Sequence, residues 1–109
     1  MDENINDWIS KKITSNDVVL FMKGTPETPQ CGFSSQVVQI LNYLGIEFSS
    51  VNVLENESIR NGIKEYTNWP TIPQLYVKNE FIGGADIVRE MFEENELKEF
   101  LKDLSLIHI

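Results

Sequence analysis

The chain has one cysteine, Cys31, and one histidine, His108, among 109 residues. A single thiol cannot close an intramolecular disulfide, so a disulfide-stapled secreted scaffold is excluded. Structural zinc takes four Cys or His ligands from the protein, and this sequence offers two. Basic residues are scarce as well. Nine Lys and Arg stand against seventeen Asp and Glu, a net charge of −8. Nucleic-acid affinity rests largely on neutralising phosphates, so DNA and RNA are excluded as natural partners. No apolar run reaches the roughly 20 residues of a membrane span. The opening Met1-Asp2-Glu3-Asn4 lacks the basic and apolar regions of a secretory signal, and the Arg- and Ser-rich character of a transit peptide. The expectation is a chain that stays where it is made, or the mature part of an imported one. With a lone thiol to keep reduced, bacterial cytoplasm and mitochondrial matrix are the expected compartments.

What is present suits a globule. The apolar share is 41%, with six Phe, three Tyr and two Trp, and a chain of this length buries about two-thirds of its unfolded surface around one core. Residues 1–109 therefore read as one domain, without repeat, linker or low-complexity segment. Ile5, Trp8, Ile9 and Ile13 recur at helical spacing. The unbroken apolar run Val18 to Met22 suits a strand covered on both faces. A loop of Gly and Pro residues leads to Cys31, and Val37, Val38, Leu41 and Leu44 then mark a second helix stopped at Gly45. Phe48 to Val53 reads as a strand, and Ile59, Ile63 and Tyr66 line a third helix ending before Asn68-Trp69-Pro70. Gln74 to Val77 and Glu80 to Ile82 form a hairpin about Lys78-Asn79, and two helices close the chain. This order, αβαβαββαα, predicts an α/β thioredoxin-like fold. Its mixed four-stranded sheet has helices on both faces.

Cys31 falls between a polar loop and the first turn of a helix, where unpaired N–H groups and the helix dipole favour thiolate over thiol. Lys23, at the end of the preceding strand, supplies a full positive charge nearby. Free cysteines are more often inert core residues, but Pro29, Gln30 and Gly32 do not make a core. In a C-x-x-C redox pair the second thiol resolves a mixed disulfide. Here Ser34 occupies that place, so resolution falls to an external thiol and Ser34 is left to hydrogen-bond backbone.

Three blocks carry a resemblance over nearly the whole chain: Lys23-Gly-Thr-Pro-x-x-Pro-x-Cys31-Gly-Phe-Ser34, Trp69-Pro-Thr-Ile-Pro-Gln-Leu-Tyr76 and Gly83-Gly84-x-Asp86. In this order and spacing the sequence resembles the monothiol glutaredoxins of the CGFS type. The resemblance implies a glutathione site. Its Thr71-Ile72-Pro73 loop would lie opposite Cys31 with a cis bond before Pro73, offering the Ile72 backbone to the tripeptide as an added strand would. It gives Arg60, with Lys23, the glycine-end carboxylate. Lys64, four residues from Arg60 and on the same helix face, is read as solvated surface. Gly84 and Ala85 would offer backbone N–H groups to the γ-glutamyl end. Asp86 is read as a helix cap that could also receive the ammonium there. Ala85 departs from the Cys or Ser often found at that place.

The same resemblance implies a [2Fe–2S] cluster. Such a cluster normally takes four thiolates. With Cys31 the only one per chain, two chains and two glutathione molecules complete the set. The implied protein is a homodimer when cluster-bound, with an apo form that could be monomeric, and a carrier that hands clusters to apo iron–sulfur proteins. Two other readings use the same residues: a glutathione-dependent thiol–disulfide oxidoreductase acting in deglutathionylation, and a cluster-dependent module binding a BolA-like partner. The Thr25–Pro29 loop is a candidate interface whose plainer reading is solvated loop. Trp8 and Trp69 are expected to pack, and Phe33 to shield a bound cluster. His108, in the apolar tail Leu106–Ile109, has no ligand partner at helical spacing and is not expected to bind metal.

Overall fold

The computed structural model describes residues 4–104 and 106. His108 and its neighbours Ile107 and Ile109 lie outside the described residues. Helix α1 (Ile5–Thr14) leads into β1 (Val18–Met22), α2 (Gly32–Tyr43) and β2 (Ser49–Asn52). A short 3-10 turn over Val53–Glu55 precedes α3 (Glu57–Thr67), the hairpin β3 (Gln74–Val77) and β4 (Glu80–Gly83), then α4 (Ala85–Glu93) and α5 (Glu96–Asp103).

The local chemistry accounts for these boundaries. Asn4 and Asn56 cap α1 and α3, each accepting a backbone N–H from the first turn through its side chain. Helix α2 ends as expected at Gly45, whose φ of 71° suits a residue without a Cβ. There the Ile46 N–H reaches back to the Leu41 carbonyl at 3.0 Å. The second strand is shorter than the expected Phe48–Val53. Asn52 ends it by accepting the Leu54 N–H on its side chain, which turns Val53 into the 3-10 segment. The fourth strand runs one residue past the expected Ile82, to Gly83.

The strands lie in the order β2-β1-β3-β4. β1 pairs parallel with β2 and antiparallel with β3, and β3 pairs antiparallel with β4. All five residues of β1 are buried, as its unbroken apolar run requires, and alternate side chains enter opposite layers. Val18, Leu20 and Met22 join α2, α4 and α5 through Leu41, Val88 and Leu101. Val19 and Phe21 face the other way, onto Ile9 and Ile13 of α1 and Ile63 of α3.

The register decides where the chemistry sits. Phe21 of β1 lies opposite Gln74, the first residue of β3, and Leu75 lies opposite Gly83 near the end of β4. The loop leaving β1, the loop entering β3 and the exit from β4 therefore meet at one end of the sheet. The three blocks distant in sequence come together there.

Candidate functional site

Cys31 is the residue before α2, half-buried, with extended backbone (φ −150°, ψ 135°). At this position the thiol faces N–H groups of the helix start that have no intrahelical partner. The Ser34 backbone N–H does most to hold the thiol below its ordinary pKa; the Phe33 N–H, the Lys23 charge and the Ser34 hydroxyl add to it. Partial burial works against these and does not overcome them. Because the depressed group is an acid, its ionised form is favoured in the folded state. The associated stability is present above the unfolded-state pKa and lost as pH falls through the folded one. Alkylation of Cys31 should accordingly level off at a lower pH than that of an unstructured cysteine. Lys23→Ala should move that inflection upward, and Ser34→Ala should move it less.

Ser34 itself is fully buried. Its hydroxyl accepts the Lys23 backbone N–H at 3.1 Å, which ties the first turn of α2 to the end of β1. The backbone-bonding role read from the sequence is the one it has. The intervening loop is well held. Gln30 N–H donates to the Lys23 carbonyl at 2.9 Å, and Thr25 and Thr28 exchange backbone hydrogen bonds. Gly24 N–H donates to Asn52 Oδ1 at 2.9 Å, reaching the parallel neighbour β2. At φ 91° Gly24 also sits where a Cβ would meet the Gln30 nitrogen and Thr28 oxygen at 2.6 Å.

A groove of about 530 Å³ opens beside the thiol, within the size range of small-molecule sites. One wall carries Trp69, Pro70, Thr71, Ile72 and Pro73, with a cis peptide bond between Ile72 and Pro73. Another carries Gly84, Ala85, Asp86 and Ile87. Cys31 and Phe33 stand at its edge, and its two cations are Lys23 and Lys64. Nearly every site residue expected from the sequence is thus brought together. Arg60 is the exception. It is half-buried on α3 but does not line the groove, whereas Lys64, one turn nearer the loop that forms the wall, does. Lys64, read from the sequence as solvated surface, is half-buried and lines the groove. The two share a helix face, and that spacing alone cannot say which turn of α3 reaches the groove.

Asp86 also differs from its expected role. The N-cap of α4 is Gly84, and no side chain caps this helix. Asp86 lies in the first turn, exposed, lining the groove with its carboxylate 3.5 Å from Arg89. The cap reading of Asp86 falls two positions late because the extended backbone at Gly84 starts the helix earlier.

Gln74 was not singled out by sequence reasoning, yet it holds one wall in place. It is fully buried. Its amide donates to the Trp69 and Thr71 carbonyls, both at 3.2 Å, while its oxygen accepts the Thr67 and Tyr76 hydroxyls. A polar residue opening an otherwise apolar strand was the available signal. Gln74→Leu should lower stability by about 1–3 kcal/mol, because it strands those carbonyls and hydroxyls. Chemical denaturation would measure the loss. Trp69, expected to pack, does so against Phe81 with ring centroids 5.6 Å apart, and also faces the groove.

The glutaredoxin family model matches residues 18–82, from the first strand to the fourth. The chain belongs to the glutaredoxin family. A monothiol glutaredoxin of Synechocystis sp. is 57% identical over 86% of this chain and 88% of its own length. A probable monothiol glutaredoxin of Rickettsia typhi is 54% identical over 94% of each. Relatives carrying this name are bacterial, chloroplastic and mitochondrial. Among solved structures, a monomeric truncated mutant of Trypanosoma brucei 1-C-Grx1 superposes with TM-score 0.86 at 43% identity, covering 96% of both chains. A buckwheat glutaredoxin–glutathione complex shares the fold at 22% identity, with TM-score 0.83 over 95% of this chain and 93% of its own. This glutaredoxin thus has the thioredoxin-like fold expected of it. No helix among its described residues is long and apolar enough to cross a membrane.

Proposed function

We propose that residues 1–109 form one glutaredoxin domain that binds glutathione and, with it, a [2Fe–2S] cluster bridging two copies, for delivery to apo iron–sulfur proteins. The observation that carries this reading is a single activated thiol, Cys31, at the edge of a groove suited to a tripeptide with two carboxylates and one ammonium. Lys23 and Lys64 suit the glycine-end carboxylate. The Ile72 backbone suits the cysteinyl peptide group, and the N–H groups of Gly84 and Ala85 with the Asp86 carboxylate suit the γ-glutamyl end. Arg60, if it contributes, does so from outside the groove lining. The buckwheat protein shows that this fold is compatible with bound glutathione.

The cluster is cargo, and the donor set fits it in one way. Cys31 is the chain's single cysteine, so it is the one thiolate each chain has to give. Two chains and two glutathione thiolates make the four that a [2Fe–2S] cluster takes. Half of those ligands are small and exchangeable, which suits a carrier. Phe33, 59% exposed beside the thiol, would shield the cargo from water.

The same depressed thiol pKa supports a second reading, deglutathionylation. There the Cys31 thiolate attacks the mixed disulfide of glutathionylated protein, taking the glutathionyl sulfur and releasing the protein thiolate. A second glutathione then attacks the Cys31 mixed disulfide, giving glutathione disulfide and free Cys31 thiolate. Anaerobic reconstitution with iron and sulfide, with and without glutathione, tests the choice. Visible cluster absorption only when glutathione is present supports the carrier. A colourless protein in both samples overturns it in favour of the enzyme.

A further inference from the structure

The two cations that line the groove come from different parts of the chain. Lys23 follows β1, and Lys64 stands on α3. Both are long, flexible side chains, and bringing their ammonium groups onto one carboxylate costs conformational entropy. What the fold can fix in advance is the backbone that carries them. The Lys23 N–H donates to Ser34 Oγ at 3.1 Å, and the Lys23 carbonyl accepts the Gln30 N–H at 2.9 Å. Both of those partners belong to the segment that also carries Cys31. Neither bond sets where that segment stands relative to α3.

Asn52 supplies the missing link. It is the last residue of β2, half-buried, and opposite Met22 in the parallel register. Its side-chain oxygen accepts two backbone N–H groups, one from each side of the groove's cationic end. The first belongs to Gly24, 28 residues earlier and next to Lys23, at 2.9 Å. The second belongs to Leu54, in the 3-10 turn that leads into α3, at 3.0 Å. The Asn52 amide nitrogen donates to Glu55 Oε1 of the same turn at 3.2 Å, in an exposed position. Ending β2 requires only the Leu54 bond. The Gly24 bond is additional, and it ties the loop bearing Lys23 to the turn that enters the helix bearing Lys64. Asn52 itself lines neither the groove nor the second hollow at Cys31.

Building on the glutathione reading above, we infer that Asn52 is a positioning residue for the tripeptide. Its one oxygen braces the Lys23 backbone against the entrance to α3, so that Lys23 and Lys64 converge on the glycine-end carboxylate. Preorganised donors lose less freedom on binding, so a support of this kind adds affinity without touching the ligand. Removing it leaves the Gly24 N–H without its partner and frees the Lys23 backbone to shift. The wall at Thr71 is unaffected, because Gln74 holds the Trp69 and Thr71 carbonyls independently. The loss therefore falls on one end of the ligand.

The probes are glutathione and its glycine monoethyl ester, in which that carboxylate has no charge, each titrated by calorimetry. Asn52→Ala should weaken glutathione binding about fivefold and leave the ester within about twofold of its wild-type affinity. In a Lys23→Ala background the same substitution should cost less than about twofold, because the group it places is gone. Glu55→Ala removes only the exposed third bond and should leave both affinities unchanged. Where Asn52→Ala is too unstable to titrate, Asn52→Ser gives the same comparison, since its short hydroxyl cannot accept both N–H groups. Equal losses for glutathione and ester would overturn the inference and make Asn52 a general structural support. So would a loss that persists undiminished without Lys23, or an unchanged glutathione affinity in the folded variant. A wild-type protein that binds neither probe overturns the proposed function itself, a result seen before any variant is made and so distinct from these.

Discussion

Cys31→Ser should leave a folded glutaredoxin that takes up no cluster and transfers no glutathione, a complete loss rather than a graded one. The side chain is half-buried at the residue before α2, and its backbone is extended and makes no demand for a thiol. Serine is among the residues best suited to start a helix, so stability should stay within about 1 kcal/mol of the wild type or rise slightly. The chemistry has no such substitute. An alcohol is not ionised near neutral pH, whereas the Ser34 and Phe33 N–H groups and Lys23 hold Cys31 toward its thiolate. With no other cysteine in the chain, nothing can replace it. Thermal unfolding alongside reconstitution and a glutathione-transfer assay would check both halves. Residual cluster absorption in the folded variant would mean that glutathione alone, or other side chains, can hold the cargo.

Removing both groove cations, as Lys23→Ala with Lys64→Ala, should weaken glutathione binding by about 100-fold. Hydrogen bonds to charged groups contribute roughly 1.5–3 kcal/mol each, and about 1.4 kcal/mol is a factor of ten in affinity. Two such bonds lost from an open groove, discounted for screening by water, give that order of magnitude. Each single variant should lose about tenfold, and Arg60→Ala less, since Arg60 does not line the groove. Trp69 lies in the groove wall, so its fluorescence offers a direct titration signal, with calorimetry as the independent measure. If Arg60→Ala proves as damaging as Lys64→Ala, the bound tripeptide extends further along α3 than the groove does.

Much of this was visible in the chain because local and long-range signals agree. The run Val18–Met22 has no alternation, and the strand it forms is central and covered on both faces. The Gly and Pro blocks mark loops by their own backbone limits. Pairing then gathers them at one end of the sheet, since the residue opposite Phe21 is Gln74 and the one opposite Leu75 is Gly83. What stayed hidden depends on distances along a helix or on contacts across the fold. Helical spacing places Arg60 and Lys64 on one face without saying which turn meets the groove. Asp86 looks like a cap until the extended Gly84 is seen to start α4. Gln74 gives one hint, its polarity at the head of an apolar strand, while the four groups it joins come from Thr67, Trp69, Thr71 and Tyr76.

The most direct test of the account is the mass of the anaerobically reconstituted protein, measured without denaturation. The ligand count predicts a coloured species of two chains, one [2Fe–2S] cluster and two glutathione molecules, which falls to apo monomer when glutathione is removed. A coloured monomer, or a coloured dimer that contains no glutathione, would contradict it.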